Sequence, residues 1–353
     1  MQLKPPILDY SLEELTNILS EFGAQNYRAK QLFKWANSGA NFSQMSNLSK
    51  DFLASIAGIM TDRVLQIAKT VRSSDGSEKH LYKLTDANFI EGVFLPNNYG
   101  NTLCVSTQVG CKMGCKFCAS GSNGLVRNLS AGEIVGQYVE AVKRIGGEAI
   151  AKTGIEKQAK PITNIVFMGS GEPLDNYENT VKAIRLLTCA EGLNISCRNI
   201  SISTCGVVPK MQSLANEGLG ITLSVSLHAT TDEVRKTIMP TAKKYSIAQI
   251  LTAAKNYFIN SGRRVCIEYA LIKGVNDSHE DAVRLSSLTK GFSTHVNLLT
   301  LNAVKGSNLS APSSVKVKSF LIALQRLNVS ASLRRSSGNE VLGACGQLMG
   351  AKV

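Results

Sequence analysis

Apolar positions near the start of the chain recur at helical spacing. Ser11-Leu-Glu-Glu-Leu-Thr-Asn-Ile-Leu19 sets its leucines and isoleucine behind a serine N-cap, with Glu14 three residues on, which are the parts of a capping box. Asn26-Tyr-Arg-Ala-Lys-Gln-Leu-Phe-Lys-Trp35 continues as a second helix with a basic face. From about Val64 to Pro96 the period changes. Leu81-Tyr-Lys-Leu84 and Phe89-Ile-Glu-Gly-Val-Phe-Leu95 read as strands joined by the polar turn Thr85-Asp-Ala-Asn88.

Beyond residue 100 the pattern becomes strand then helix, repeatedly. Leu103–Thr107, Thr163–Met168, Asn199–Ser203, Ile221–Leu227, Val265–Leu271 and Val296–Leu301 read as strands. Helical patterns lie between them, as in Ala131–Val142, Tyr177–Leu187 and Ile247–Phe258. This alternation predicts an α/β fold with a parallel sheet and helical crossovers. Six strands fit a partial (βα)6, TIM-like barrel, whose functional groups gather at the C-terminal strand ends. The lysine-rich stretch Gly146–Lys160 reads as a solvated loop. The chain divides into an N-terminal helical and accessory-strand region (1–97), a barrel (98–335) and a tail (336–353).

Composition narrows the class. The 353 residues are 44% hydrophobic and 18% charged, an ordinary globular balance with room for one large domain or two. Nothing near Met1-Gln-Leu-Lys-Pro-Pro6 resembles a signal peptide and no stretch is long and apolar enough to span a bilayer, so the cytoplasm is expected and a membrane is not. Nine cysteines in such a chain favour metal or redox chemistry over structural disulfides. The net charge of +13 predicts a polyanionic partner; scattered basic residues without a long amphipathic helix favour nucleic acid.

Three cysteines supply the strongest chemical signal. Cys111, Cys115 and Cys118 sit in Gly110-Cys-Lys-Met-Gly-Cys-Lys-Phe-Cys-Ala119, directly after the first barrel strand. Four cysteines usually hold a [4Fe-4S] cluster, so three leave one iron open for a small molecule. A structural zinc site would need a closed tetrahedral set. One βα unit later, Gly169-Ser-Gly-Glu-Pro-Leu174 offers glycines for close approach and Glu172 to accept from an ammonium. Ser203 closes the third strand, Ser226 with Leu227 and His228 the fourth, and Asn302 the last, all at the same end. In the tail, Cys345 between Gly343 and Gly346 suits a thiol that reaches into a site.

The cluster loop with Phe117 before its last cysteine resembles the radical S-adenosylmethionine superfamily. Together with Ser-Thr-Cys-Gly-Val-Val-Pro209, Ser-Leu-His-Ala229, Gly-Val-Asn-Asp277, Ala-Cys345-Gly-Gln-Leu348 and Tyr27-Arg-Ala-Lys-Gln-Leu-Phe33, it resembles the RlmN/Cfr family of RNA adenine methyltransferases over essentially the whole chain. The resemblance implies a radical S-adenosylmethionine barrel, one [4Fe-4S] cluster on Cys111, Cys115 and Cys118, and two molecules of S-adenosylmethionine per turnover. It implies that Gly171, Glu172, Ser203, Ser226, Leu227, His228 and Asn302 bind S-adenosylmethionine. It further implies that Cys345 accepts a methyl group, which is converted to a methylene radical and added to adenine. Loss of an electron and a proton then leaves an RNA–thioether adduct, which Cys104 resolves by forming a disulfide. Glu91 matches the family's general base; read without the family it is a solvent-facing strand position, and Cys104 a small buried hydrophobe. Cys189, Cys197, Cys205 and Cys266 read as structural.

The resemblance also implies the partners: 23S rRNA, tRNA and an electron donor such as flavodoxin or ferredoxin, with the enzyme a monomer. Three positions depart from the family pattern. Glu340-Val-Leu-Gly precedes the tail Ala-Cys345, Ser170 stands where methionine is usual, and Ala303 stands where proline is usual. The leading expectation is methylation of adenine carbon 2. Carbon 8 methylation of the same ribosomal adenine, and a non-enzymatic iron–sulfur RNA-binding protein, are the alternatives.

Overall fold

The computed structural model describes residues 4–153, 161–334 and 337–349. Three helices open it: α1 (Leu12–Glu21), α2 (Asn26–Asn37) and α3 (Lys50–Ile59). The expected capping box is present, Ser11 Oγ accepting from Glu14 N and Glu14 Oε2 from Ser11 N. Such a cap is worth about 1 kcal/mol. Leu15 and Leu19 of α1 and Leu32 and Phe33 of α2 join the main core, while Lys30 and Lys34 on the opposite face of α2 are exposed.

A single ten-stranded sheet follows. Its strands are β1 (Leu65–Arg72), β2 (Glu78–Leu84), β3 (Phe89–Leu95), β4 (Thr102–Cys104), β7 (Asn164–Phe167), β8 (Ile200–Thr204), β9 (Thr222–Ser226), β10 (Val265–Leu271), β11 (Thr294–Thr300) and β12 (Ala331–Arg334), adjacent in that order. The hairpin β5 (Gln108–Gly110) and β6 (Leu125–Asn128) stands apart from it. From β4 to β12 every pairing is parallel, and β1, β2 and β3 extend the sheet antiparallel from β4. All six expected barrel strands are present with helices between them, and β12 adds a seventh parallel strand after the helix Ser314–Arg326.

Two expectations need correcting. Helix α4 (Ala131–Thr153) runs through Gly146 and beyond, so the stretch expected to start a loop there is helical; the remainder, 154–160, lies outside the described residues. Glu91 does not face solvent. It is buried on β3 at 7% exposure, and its strand is covered on that face by the tail. The expected barrel–tail boundary at 335–336 also lies outside the described residues. Asp9 Oδ1 accepts from Gly132 N at 2.6 Å and Glu14 pairs with Lys182 at 2.7 Å, seating the N-terminal helices on the barrel helices.

Candidate active site

Local chemistry shapes the cysteine loop. The β5–β6 hairpin closes around it, with Cys111 N donating to the Gly124 carbonyl at 3.0 Å. Gly110, Gly114 and Gly124 all take positive φ, which lets the chain reverse tightly between thiols. Gln108 ties the hairpin to the glycine-rich turn: its Oε1 accepts from Glu172 N at 2.9 Å and its Nε2 donates to Asp175 at 2.9 Å. At Gly171, φ is +109° and a Cβ would lie 2.7 Å from that of Gln108, so only glycine fits.

These elements surround one cavity of about 690 Å³ at the C-terminal strand ends. Cys111, Cys115 and Cys118 line it, as do Gly171, Glu172, Ser203, Ser226, His228, Asn302, Cys104 and Cys345. Eleven of the thirteen expected site residues thus share its wall. Glu91 and Leu227 do not line it. Leu227 is fully buried behind Ser226 and His228, donating its N–H to Glu268 O and accepting from Arg235 through its carbonyl.

The wall is electrostatically graded. Burial pushes the Cys111 thiol up to about 12, and burial with the neighbouring cysteines raises Cys115 and Cys118. Thiols crowded this way gain from a cation that takes up their thiolate forms. Among the described residues no three His, Cys, Asp or Glu side chains converge as ligands of one ion would. Three buried thiols on one cavity wall, close enough for Cys111 and Cys118 to raise Cys115, are a donor set that fits an iron–sulfur group. Burial also raises the Glu172 carboxyl, although Cys205 N and Leu174 N donate to it at 2.8 and 3.0 Å.

His228 is held in strain. Its φ is +55°, an uncommon conformation for a residue with a Cβ. Asn276 Nδ2 donates to its carbonyl at 2.7 Å, and Ala270 N donates to its Nδ1 at 3.0 Å. Burial, helped by Arg235, holds the imidazole down at about 3. A neutral ring that accepts at Nδ1 carries its proton on Nε2. Phe117 packs on it edge to face at 4.8 Å, joining the cluster loop to β9. Ser203 and Ser226 bring their hydroxyls within 3.3 Å of each other on adjacent strands.

The tail is docked. Ala119 N donates to the Gly346 carbonyl at 2.7 Å, Ser120 Oγ to the Leu348 carbonyl at 2.7 Å, and Asn302 Nδ2 to the Cys345 carbonyl at 3.0 Å. Cys345 itself is exposed, whereas Cys104 is buried and its thiol is pushed up to about 12. Glu340 accepts from Ser74 N, Ser74 Oγ and Ser73 Oγ at 2.7 to 3.0 Å, so the unusual approach to Cys345 is anchored on the β1–β2 turn.

Three further residues line the cavity without having been given a site role from the sequence. Cys205, read as structural, lines the cavity and offers its N–H to Glu172. Glu268 interrupts the apolar strand β10 and is buried at 3% exposure, a signal that a half-buried alternation would not have produced. Arg334 ends β12; the nearby charge of Cys345 raises its guanidinium despite burial.

Family models match both parts of the chain. Residues 105–286 match the radical SAM superfamily, and residues 6–60 match the ribosomal RNA large subunit methyltransferase N-terminal domain. A probable dual-specificity RNA methyltransferase RlmN of Clostridium perfringens strain 13 is 44% identical over 345 residues, covering 97% of this chain and 96% of the relative. One from Clostridium botulinum strain Eklund 17B is 45% identical, with 97% and 95% covered. The chain belongs to the RlmN family. A radical SAM methyltransferase from Sphaerobacter thermophilus has the same fold, with a TM-score of 0.91 at 38% identity over 98% of this chain and 100% of that one. RlmN membership makes the chain a radical S-adenosylmethionine RNA methyltransferase, with a [4Fe-4S] cluster and S-adenosylmethionine as its cofactors. Among the described residues no helix is long and apolar enough to cross a membrane.

Proposed function

We propose that this enzyme methylates carbon 2 of an adenine in 23S rRNA, and of an adenine beside the anticodon in tRNA. The observation that carries the reading is that Cys345 and Cys104 line one cavity with the three cluster thiols. Adenine carbon 2 is an electron-poor amidine carbon that cannot attack a sulfonium methyl directly, so a carrier thiol and a resolving thiol answer a real chemical need. The dual specificity in the relatives' name supports two RNA classes.

Cys111, Cys115 and Cys118 would hold the cluster, and Gly171, Glu172, Ser203, Ser226, His228 and Asn302 would bind S-adenosylmethionine, with Leu227 fixing Ser226 and His228 on either side of it. When bound, these groups supply the methyl, the 5′-deoxyadenosyl radical that takes hydrogen from the S-methyl group, and the acceptor for the electron the adduct later loses. Cys345 carries the methyl carbon and delivers it to the ring. Glu91 takes the ring proton. Cys104 attacks the Cys345 sulfur and closes a disulfide; the electron pair of the broken bond leaves with the new carbon, which takes up a proton to become the methyl group and frees the RNA. Residues 1–97 would capture RNA, with 98–335 as catalytic barrel and 336–353 as carrier tail. The enzyme would act as a cytoplasmic monomer fed by flavodoxin or ferredoxin.

Mass mapping of adenosine methylation on ribosomal RNA from cells lacking and expressing this chain tests the reading. A methyl at carbon 2 that appears only with the chain supports it, and a methyl at carbon 8 replaces it with the carbon 8 reaction.

A further inference from the structure

Lys79 has no part in the steps above, yet it touches both halves of them. It stands on β2 opposite Val93, while Glu91 stands on β3 opposite Leu81. Alternation puts the two side chains on one face as a diagonal cross-strand pair, within reach for a long side chain. Lys79 Nζ lies 3.0 Å from Glu91 Oε1 and donates to the Leu342 carbonyl at 3.4 Å. Glu91 Oε2 accepts from Met349 N at 2.6 Å. One ion pair therefore grips the tail on both sides of Cys345, at Leu342 before it and at Met349 after it.

The arrangement is built rather than incidental. The side chains are only 17% and 9% exposed, so each charge relies on the other far more than a surface pair would. Leu342 has a φ of +52°, a conformation that a side-chain-bearing residue keeps only where its surroundings hold it. The two oxygens of Glu91 are also divided in use. Oε1 faces the lysine, while Oε2 accepts from a tail amide, a bond that movement of the tail would break.

We propose that Lys79 is a positioning residue for the proton-removal step, aiming Glu91 and tying its carboxylate to the loop that carries Cys345. The inference rests on the reading of Glu91 as the base. Docking of the tail and aiming of the base then form one unit, and RNA entry that lifts Met349 breaks its bond to Oε2 while Lys79 keeps the carboxylate in place.

The test uses cluster-loaded, full-length Lys79→Met and Lys79→Arg, made in cells beside Glu91→Ala and the parent enzyme. Denaturing gels with and without ribonuclease read the RNA adduct, mass spectrometry reads methyl on Cys345, and hydrogen exchange at the tail amides, Met349 N among them, reads tail docking. Lys79→Met should keep its iron and its Cys345 methyl, hold the RNA adduct about 10- to 100-fold longer, and exchange its tail amides faster. Lys79→Arg should restore both behaviours. If Lys79→Met loses its iron, Lys79→Gln, which keeps a donor for the Leu342 carbonyl, is read in its place. The proposal is overturned if Glu91→Ala accumulates adduct and the lysine variant does not. Absence of adduct in Glu91→Ala itself would instead overturn Glu91 as base, and the proposal with it.

Discussion

Asn302 Nδ2 donates to the carbonyl of Cys345 at 3.0 Å, so the end of the sixth parallel strand holds the backbone of the tail cysteine. The contact spans two segments far apart in sequence and fixes where the tail thiol sits relative to the cluster thiols. A group held by few bonds at the crown of a loop is sensitive to loss of any one of them.

Asn302→Ala should therefore lower methyl transfer to RNA by about 10- to 100-fold, since small misplacements of reacting groups carry costs of that order. Cys345 should alkylate faster in the same variant while iron content stays at the parent level. Unchanged alkylation and turnover would show that the carbonyl contact does not position the thiol.

The cluster prediction is compositional. Anaerobically reconstituted enzyme should be brown and carry about four irons per chain. Replacing Cys111, Cys115 or Cys118 by Ala should remove the iron and the cleavage of S-adenosylmethionine. Stoichiometric zinc without iron would contradict this.

Much of this site was legible because its signals are local. Cys111, Cys115 and Cys118 lie within one loop, and the Ser11–Glu14 capping box spans a single helical turn. Glu91 was legible as a residue but not as an environment. Its neighbours Lys79 and Met349 come from another strand and from the tail, and no local period encodes that cover. β12 was missed because Ala331–Arg334 is only four residues, half of them exposed, with no alternation to mark it as the seventh parallel strand. The helix running through Gly146 was missed because its paired glycines, Gly146 and Gly147, weaken propensity while packing of the preceding turns carries the helix on.

Cys104 sets a pH dependence. Burial, with Cys345 adding and Arg334 opposing, pushes its thiol up to about 12 from an ordinary 9. Because the thiolate is the nucleophile, decay of the RNA adduct should accelerate with rising pH between about 7 and 9. The linkage has a definite sign: the raised thiol contributes stability below its unfolded value, and that contribution is lost as pH rises from about 9 toward 12. Adduct decay that is flat or slower with pH would contradict the role of Cys104.

The exposed basic face of α2 predicts a salt-sensitive RNA contact. Lys30 and Lys34 are exposed, and Arg28 stacks over the exposed Tyr27 at 5.0 Å. Lys30→Glu combined with Lys34→Glu should weaken RNA binding and flatten its salt dependence, because fewer counterions are released. Iron content and RNA-independent cofactor cleavage should not change. Unaltered affinity would move the RNA surface elsewhere.

The division of labour between the two thiols is tested most directly by a denaturing gel of Cys104→Ala and Cys345→Ala made in cells, run with and without ribonuclease and paired with mass spectrometry of the tail peptide. Cys345→Ala should carry no methyl and no RNA. Cys104→Ala should migrate with covalently attached RNA that ribonuclease trims, because the carrier still loads and delivers while the resolving thiol is gone. Cys104→Ala that runs free of RNA, with no methyl on Cys345, would contradict the carrier-and-resolver mechanism for this enzyme.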